Sequence, residues 1–91
     1  MTRKELIEMI AHMCSIPTSQ AARFLDTTIG VIKHELIRRR VVALPGFGTF
    51  GVKELPAREG TNPRTGERIQ IGARKIPYFT AGRAFKEACN R

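Results

Sequence analysis

The chain has 91 residues, enough for one domain, and 42% of them are apolar, which is too many for a disordered basic tail. Sixteen Lys and Arg residues against eight Asp and Glu give a net charge of +8. This charge favours a polyanionic partner, of which nucleic acid is the first candidate and an anionic membrane the second. No apolar run reaches the ~18 residues of a membrane span, and no apolar core of a secretory signal is present, so we expect a cytoplasmic protein without membrane contact.

Residues 1–40 have the apolar periodicity of helices. Thr2 and Glu5 have the spacing of a capping box, in which the side chains satisfy free amides at a helix start. Pro17 interrupts the periodicity, so the second helix is expected to begin directly after it, at Thr18 or one residue later. We therefore predict a helical hairpin as the base of the fold.

Residues 41–78 have the pattern of a sheet. Three strands are predicted, at Val41–Leu44, Thr49–Leu55 and Ile69–Ile76, with turns at Pro45-Gly46 and Asn62–Gly66. Residues 80–90 are predicted to form a short last helix that is capped by Thr80. The fold class is therefore α+β, a single domain over residues 1–91 with the order α-α-β-β-β-α.

The segment from Val52 to Lys75 is a long predicted hairpin with few large apolar residues. It carries six basic and three acidic residues, a net charge of +3. A bare two-stranded ribbon is marginal in water, so such a segment usually lies on a partner. From Val52 to Asn62 the strand spans roughly 33 Å, close to one turn of B-DNA at about 34 Å, and a ribbon can enter a DNA groove. An ordinary solvated hairpin fits these residues equally well.

Pro63 at the predicted tip also has two interpretations. Proline is common in turns because its φ angle is fixed. A rigid apolar ring at an exposed tip is also a suitable wedge for a base step. The residue alone favours the turn interpretation over the wedge.

Two motifs in the chain are specific enough to indicate a protein family. Gly46-Phe47-Gly48-Thr49-Phe50 is followed by Gly60-x-Asn62-Pro63-x-Thr65-Gly66 without gaps. Matching positions continue at Arg58, Ile69, Ile71, Pro77, Phe79, Gly82 and Lys86. Over essentially its whole length the chain resembles the HU/integration-host-factor family of bacterial histone-like DNA-binding proteins.

The resemblance implies an intertwined dimer, most simply a homodimer. Two helical hairpins form its base, two three-stranded antiparallel sheets form a saddle, and two extended β-arms reach out. The resemblance places Phe47, Phe50 and Phe79 in the shared dimer core, in line with the large areas that aromatic side chains bury. It implies an architectural protein of the nucleoid that bends and compacts double-stranded DNA with little sequence specificity, and it implies no small-molecule substrate and no cofactor.

The resemblance also assigns roles to residues. The arms of such proteins wrap the minor groove, and apolar wedges enter base steps. Pro63 is then the wedge, Arg58 an arm contact, and Asn62 presents the tip. Basic residues of the body are expected to meet flanking phosphates, and two glycines to allow close backbone approach. The candidate DNA-binding residues are Arg3, Gly46, Gly48, Lys53, Arg58, Asn62, Pro63, Arg64, Arg68, Arg74, Lys75, Arg83 and Lys86.

The chain departs from the family pattern in the arm. Leu55 and Thr61 stand where many relatives carry Arg or Lys. We expect the charge to come instead from Arg64, Arg68, Arg74 and Lys75.

A second departure is Arg38-Arg39-Arg40, which replaces a turn that usually contains glycine. A left-handed arginine costs about 1 kcal/mol, so we expect this turn to be built differently. The triplet is either an additional phosphate contact or a solvated helix end.

Other functions receive less support. A subunit of a site-specific heterodimer, like integration host factor, is the alternative within the family. An RNA-binding role lacks paired exposed aromatics, since the chain has one Tyr and no Trp. The sequence contains no pattern of catalytic residues, so an enzyme is not predicted. Cys14 and Cys89 do not have the spacing of a metal site or a redox pair, so no metal is expected.

Overall fold

The computed structural model describes all residues from Met1 to Arg91. The chain divides into two compact units, Met1–His34 and Glu35–Arg91. The elements are α1 (Arg3–Cys14), α2 (Thr18–Ile37), β1 (Val42–Leu44), β2 (Gly48–Leu55), β3 (Arg58–Thr61), β4 (Arg68–Ile71), β5 (Arg74–Ala81) and α3 (Arg83–Cys89). The α+β class with a helical N-terminus, an antiparallel sheet, an arm and a short last helix is confirmed. The single domain over residues 1–91 stays a prediction.

The first unit begins as its sequence predicts. The Thr2 hydroxyl accepts a hydrogen bond from the Glu5 amide at 3.2 Å, which confirms the N-terminal cap. The Pro17 carbonyl accepts bonds from the amides of Gln20 and Ala21, both at 3.1 Å. Because these bonds satisfy free amides of the first turn, α2 begins at Thr18, directly after the proline.

Burial within the chain is slight. Ala11 and Ala21 are its only buried hydrophobic residues outside glycine, and no large side chain is fully buried. Fourteen large hydrophobic side chains are exposed, among them Met9, Phe24 and Phe79. A stable domain of this size needs more buried apolar area than the single chain provides.

The end of α2 corrects the prediction for the arginine triplet. Arg39 has a left-handed φ of 60°. Its amide donates to the Leu36 carbonyl and the Arg40 amide donates to the Glu35 carbonyl, both at 2.9 Å. These bonds form a Schellman motif, which needs a left-handed residue after the helix. The expectation of a different turn was therefore wrong, because the two bonds offset the strain, and the arginines lie beyond the last helical residue, Ile37.

Two separate sheets follow. The first has the antiparallel order β1-β2-β5, and the second is the two-stranded ribbon of β3 and β4, which we call the arm. The predicted third strand at 69–76 was wrong as a single element, because Gly72-Ala73 separates β4 from β5. Opposite this break lies Pro56-Ala57, where the proline has no amide to donate to a ladder. Both strands of the hairpin are therefore interrupted at the same level.

The last helix is shorter than predicted. Thr80 is not its cap but pairs with Thr49 inside the sheet, and the last pair of the ladder is Gly48 with Ala81. Gly82 is the N-cap, in extended conformation and without a side-chain bond. Continued pairing with β2 thus carries the strand past the predicted limit at 78 and delays the helix start to Arg83.

Candidate nucleic-acid interface

The arm has two chemically different faces, because side chains alternate along a strand. Cross-strand pairs join Arg58 to Ile71 and Gly60 to Ile69 on one face. The opposite face carries Glu59, Thr61, Arg68 and Gln70. Arg58, the predicted arm contact, therefore lies beside the isoleucines, whereas Arg68 lies on the other face. There it faces Glu59 at 3.9 Å with its side chain 86% exposed, so this charge stays accessible.

The tip of the arm is held by local hydrogen bonds around Asn62. Its side-chain oxygen accepts from the Arg64 amide at 2.9 Å. Its own amide donates to the Glu67 carbonyl and its carbonyl accepts from the Gly66 amide, both at 2.8 Å. Gly66 has a φ of 72°, a conformation that favours glycine. These bonds present Pro63 on an exposed, closed turn.

Two basic residues lie directly opposite the two positions where the family pattern fails. Leu55 pairs with Arg74, and Thr61 pairs with Arg68. Residues directly opposite in an antiparallel pair point to the same face, with Cβ atoms about 5 Å apart. The charge that is absent from one strand is thus present on its neighbour at the same level and face.

The three-stranded sheet separates aromatic from basic side chains. One face of β2 and β5 carries Phe50 and Phe79, and it also carries Lys75. The other face carries Lys53, Arg74 and Tyr78. Consecutive strand residues point to opposite faces, so the structure brings Lys53 and Arg74 together and places Lys75 away from them.

The three phenylalanines that were predicted as dimer core form one cluster. The ring centroid of Phe79 lies 5.0 Å from that of Phe47 and 4.8 Å from that of Phe50. Phe85 of α3 joins at 5.4 Å from Phe47. Phe47 and Phe79 remain 44% and 40% exposed. The prediction omitted Phe85, although its place on the apolar face of the last helix was a usable signal.

Both predicted glycines have a structural reason inside the chain. Gly46 has a φ of 85° and follows Pro45 in a turn closed by the bond from the Phe47 amide to the Leu44 carbonyl at 3.0 Å. A Cβ on Gly48 would come within 2.5 Å of the Phe79 ring. These needs account for both residues, and a role of either toward DNA stays a prediction.

The remaining basic candidates differ in their ion pairs. In the first unit, Arg3 is bound to Asp26 at 2.9 Å. In the second unit, Arg83 is bound to Glu87 at 3.1 Å, one helical turn along α3. Lys86 is exposed and makes no ion pair in the chain. Lys86 is therefore free of ion pairs within the chain, whereas Arg3 and Arg83 each already have a carboxylate partner. A contact of any of the three with DNA stays a prediction.

No three His, Cys, Asp or Glu side chains come together in an arrangement that could hold a metal ion. No helix combines the length and the apolar character needed to cross a membrane. The two cysteines are free and exposed.

Comparison with known proteins finds similarity over nearly the whole chain. The family of bacterial DNA-binding proteins matches residues 1–90. DNA-binding protein HU-beta of Pseudomonas aeruginosa is 49% identical over 90 residues, which cover 99% of this chain and 100% of that protein. The HU-beta of Escherichia coli K12 is 47% identical with the same coverage. The Anabaena HU–DNA cocrystal structure gives a TM-score of 0.92 at 36% identity, covering 98% of this chain and 97% of that chain. HU from Thermotoga maritima gives 0.71 at 26% identity, with 98% of both chains covered.

Proposed function

The chain belongs to the family of bacterial DNA-binding proteins that includes HU, and from this we propose that it is an architectural protein that binds and bends double-stranded DNA. The arm would lie in the minor groove, and Pro63 would enter a base step at its tip. The role needs no catalysis, cofactor or small-molecule substrate. It places the protein on the nucleoid, in the cytoplasm.

The observation that carries this proposal is the arm itself. It is a two-stranded ribbon of four pairs, detached from the three-stranded sheet, with a proline exposed on a hydrogen-bonded tip. Few apolar contacts stabilise such a ribbon in water. The arm is therefore better explained by binding to a partner than by a contribution to the stability of the fold. Along its length it offers guanidinium groups on both faces, which suits a groove lined by phosphates and acceptor atoms.

The energetics of bending support a proline at this place. In the mode described for HU and its relatives, unstacking costs a few kcal/mol per base step, and the bent duplex then contacts more protein surface. A wedge must be rigid to keep a step open. The bonds of Asn62 to Arg64, Gly66 and Glu67 supply that rigidity without any contact from the rest of the chain.

We propose a homodimer as the functional state. In the phenylalanine cluster, Phe47 and Phe79 are exposed, Phe50 and Phe85 are partly exposed, and no large side chain of the single chain is fully buried. A second copy would remove this apolar area from water, at about 25 cal/mol per Å². Sedimentation equilibrium of the purified chain is expected to give twice the chain mass.

The test of DNA bending uses one short duplex, intact and nicked, at two salt concentrations. Wild type is expected to bind, to prefer the nicked duplex and to weaken steeply with salt as counterions are released. Pro63→Ala is expected to retain binding but to lose the bend, measured by energy transfer between labelled duplex ends. Pro17→Ala, which removes a proline of the first unit, is the matched control and should bend DNA as wild type does.

Two results would contradict the proposal. One is a wild-type protein that does not bind duplex DNA, and the other is a Pro63→Ala variant that bends DNA fully. The heterodimer alternative makes a different prediction. The chain alone would then be monomeric, and it would bind one particular sequence only after a second protein is added.

A further inference from the structure

The hydroxyl end of a tyrosine ring lies over a glycine of the sheet, on the face opposite the phenylalanine cluster. Tyr78 of β5 pairs directly with Gly51 of β2. A Cβ built on Gly51 would lie 2.7 Å from the Tyr78 hydroxyl oxygen and 2.8 Å from Cζ. Real Cβ atoms do not approach other atoms so closely, so a glycine at position 51 is what lets the ring rest on the strand. The hydroxyl end of the Tyr78 ring thus packs on the backbone of β2 at Gly51.

The ring is also held from a second direction, while its hydroxyl is free. The Lys53 Nζ atom lies 5.9 Å from the ring centroid, within the range of a cation–π contact. The tyrosine is 40% exposed, and its hydroxyl makes no hydrogen bond within the chain. The phenolic O–H is therefore a positioned donor that lacks an acceptor.

The surroundings of this donor are basic. The same face of β2 and β5 carries Lys53 and Arg74, and neither strand places a carboxylate on it, because Glu54 points to the opposite face. Thr49 and Thr80 add hydroxyl groups. A face with ammonium, guanidinium and hydroxyl groups and no carboxylate is suited to a ligand that only accepts hydrogen bonds, as a phosphodiester does.

We propose that Tyr78 is a further DNA contact, whose hydroxyl donates a hydrogen bond to a backbone phosphate of the duplex while Gly51 and Lys53 hold the ring in place. This inference rests on the proposed DNA-binding function and adds to it a neutral contact on the body of the protein, outside the arm. Neutral contacts to phosphate fix register and orientation. They displace no counterion, and this distinguishes them from the contacts of Lys and Arg.

The test compares two substitutions on the same face by their dependence on salt. Tyr78→Phe keeps the ring and removes the hydroxyl, so affinity for a short duplex is expected to fall about 3- to 10-fold with the slope of log K against log salt unchanged. Lys53→Gln is expected to lower affinity and to make that slope shallower by roughly 1. Equal affinity of Tyr78→Phe and wild type would overturn the proposal, and so would a loss accompanied by a shallower slope.

A second variant tests the positioning by glycine. Gly51→Ala displaces the ring, so its affinity should fall as that of Tyr78→Phe does. Once the hydroxyl is absent, the same substitution should add no further loss, a coupling that a double-mutant cycle measures. Additive losses would overturn the role of Gly51, and a thermal melt of each variant shows that the comparison is made between folded proteins.

A spectroscopic readout separates this inference from the proposed function. Since the chain has one Tyr, incorporation of 3-fluorotyrosine gives a 19F signal from position 78 alone. The signal is expected to shift on addition of duplex up to the binding stoichiometry. If the protein binds duplex and the signal does not move, this inference fails alone. If wild type binds no duplex at all, the proposed function fails first.

Discussion

The arm and the three-stranded sheet are both antiparallel and both basic, yet they are held in different ways. In the sheet, β2 pairs with β5 over eight residues and supports a cluster of phenylalanines. In the arm, β3 pairs with β4 over four residues, and the apolar contacts are those of Ile69 and Ile71 with Gly60. The geometry of the sheet therefore depends on packing, and that of the arm on local backbone bonds. Substitutions on the phenylalanine face of the sheet should therefore change stability, whereas those in the arm should change DNA binding alone.

The largest effect is expected from truncation of the phenylalanine cluster. Phe79→Ala removes a ring that contacts Phe47 and Phe50. Because the proposed dimer would bury this ring, the substitution should lower the free energy of unfolding of the dimer by about 3 kcal/mol or more. Urea unfolding at several protein concentrations measures this and reports the loss of the dimer. Ile69→Ala is the matched control in the arm, because its side chain is 43% exposed against 40% for Phe79. Equal losses would refute the contrast between the two regions.

Glycine substitutions provide a second pair. A Cβ on Gly48 would lie 2.5 Å from both the Phe79 ring and the Thr80 carbonyl oxygen, so Gly48→Ala should lower the unfolding free energy by about 1–3 kcal/mol. In the arm, a Cβ on Gly60 would lie 3.0 Å from Cδ1 of Ile71, the mobile end of a side chain. Gly60→Ala should therefore change stability little. Thermal unfolding of both variants measures these changes in stability. A loss of stability in Gly60→Ala as large as that in Gly48→Ala would show that the arm is packed as tightly as the sheet.

Exchanging two residues across the arm tests DNA binding while the stability of the fold is expected to stay constant. Arg68→Thr should weaken duplex binding several-fold and lower the salt slope by roughly 1, with unfolding unchanged. Adding Thr61→Arg restores a guanidinium on the same face, because the two positions are direct cross-strand neighbours. Gel shifts at two salt concentrations should then show recovered affinity and slope. If affinity and slope do not recover, DNA binding depends on which strand of the arm carries the guanidinium, and not only on its face.

Local patterns in the sequence predicted most of the elements. The N-cap at Thr2, the helix start after Pro17 and the turn at Pro45-Gly46 were all correct, because each depends on neighbouring residues alone. The reciprocal bond of a full capping box is not formed, since the Glu5 carboxylate accepts from the Thr2 hydroxyl and not from the Thr2 amide. The break at Gly72-Ala73 and the place of Thr80 were missed, because strand ends depend on what the partner strand offers at the same level. Pro56 on that partner carried a usable signal for the break.

For the candidate interface, the sequence identifies the basic residues, whose role toward DNA stays a prediction, but it does not identify which of them share a face. Arg74 and Lys75 look equivalent in sequence, yet they lie on opposite faces, and only the ladder places Lys53 with the first of them. Tyr78 did not appear among the predicted contacts, because its position depends on a glycine 27 positions earlier in the chain that became its neighbour only through pairing. Cross-strand register is the information that a single sequence does not show locally.

The smallest expected effect concerns the end of β2 that leads to the arm. Arg39 is left-handed with a φ of 60° and is bound to Glu54 at 2.9 Å, whereas Ser15 has a φ of 55° and no ion pair. Ser15→Gly should stabilise by about 0.5–1 kcal/mol by relieving strain. Arg39→Gly should stabilise less, because it also removes a surface pair worth about 0.2–1 kcal/mol. In a Glu54→Gln background that pair is already absent, so Arg39→Gly should then match Ser15→Gly in thermal unfolding. A persisting difference would mean that Arg39 is held by more than its ion pair.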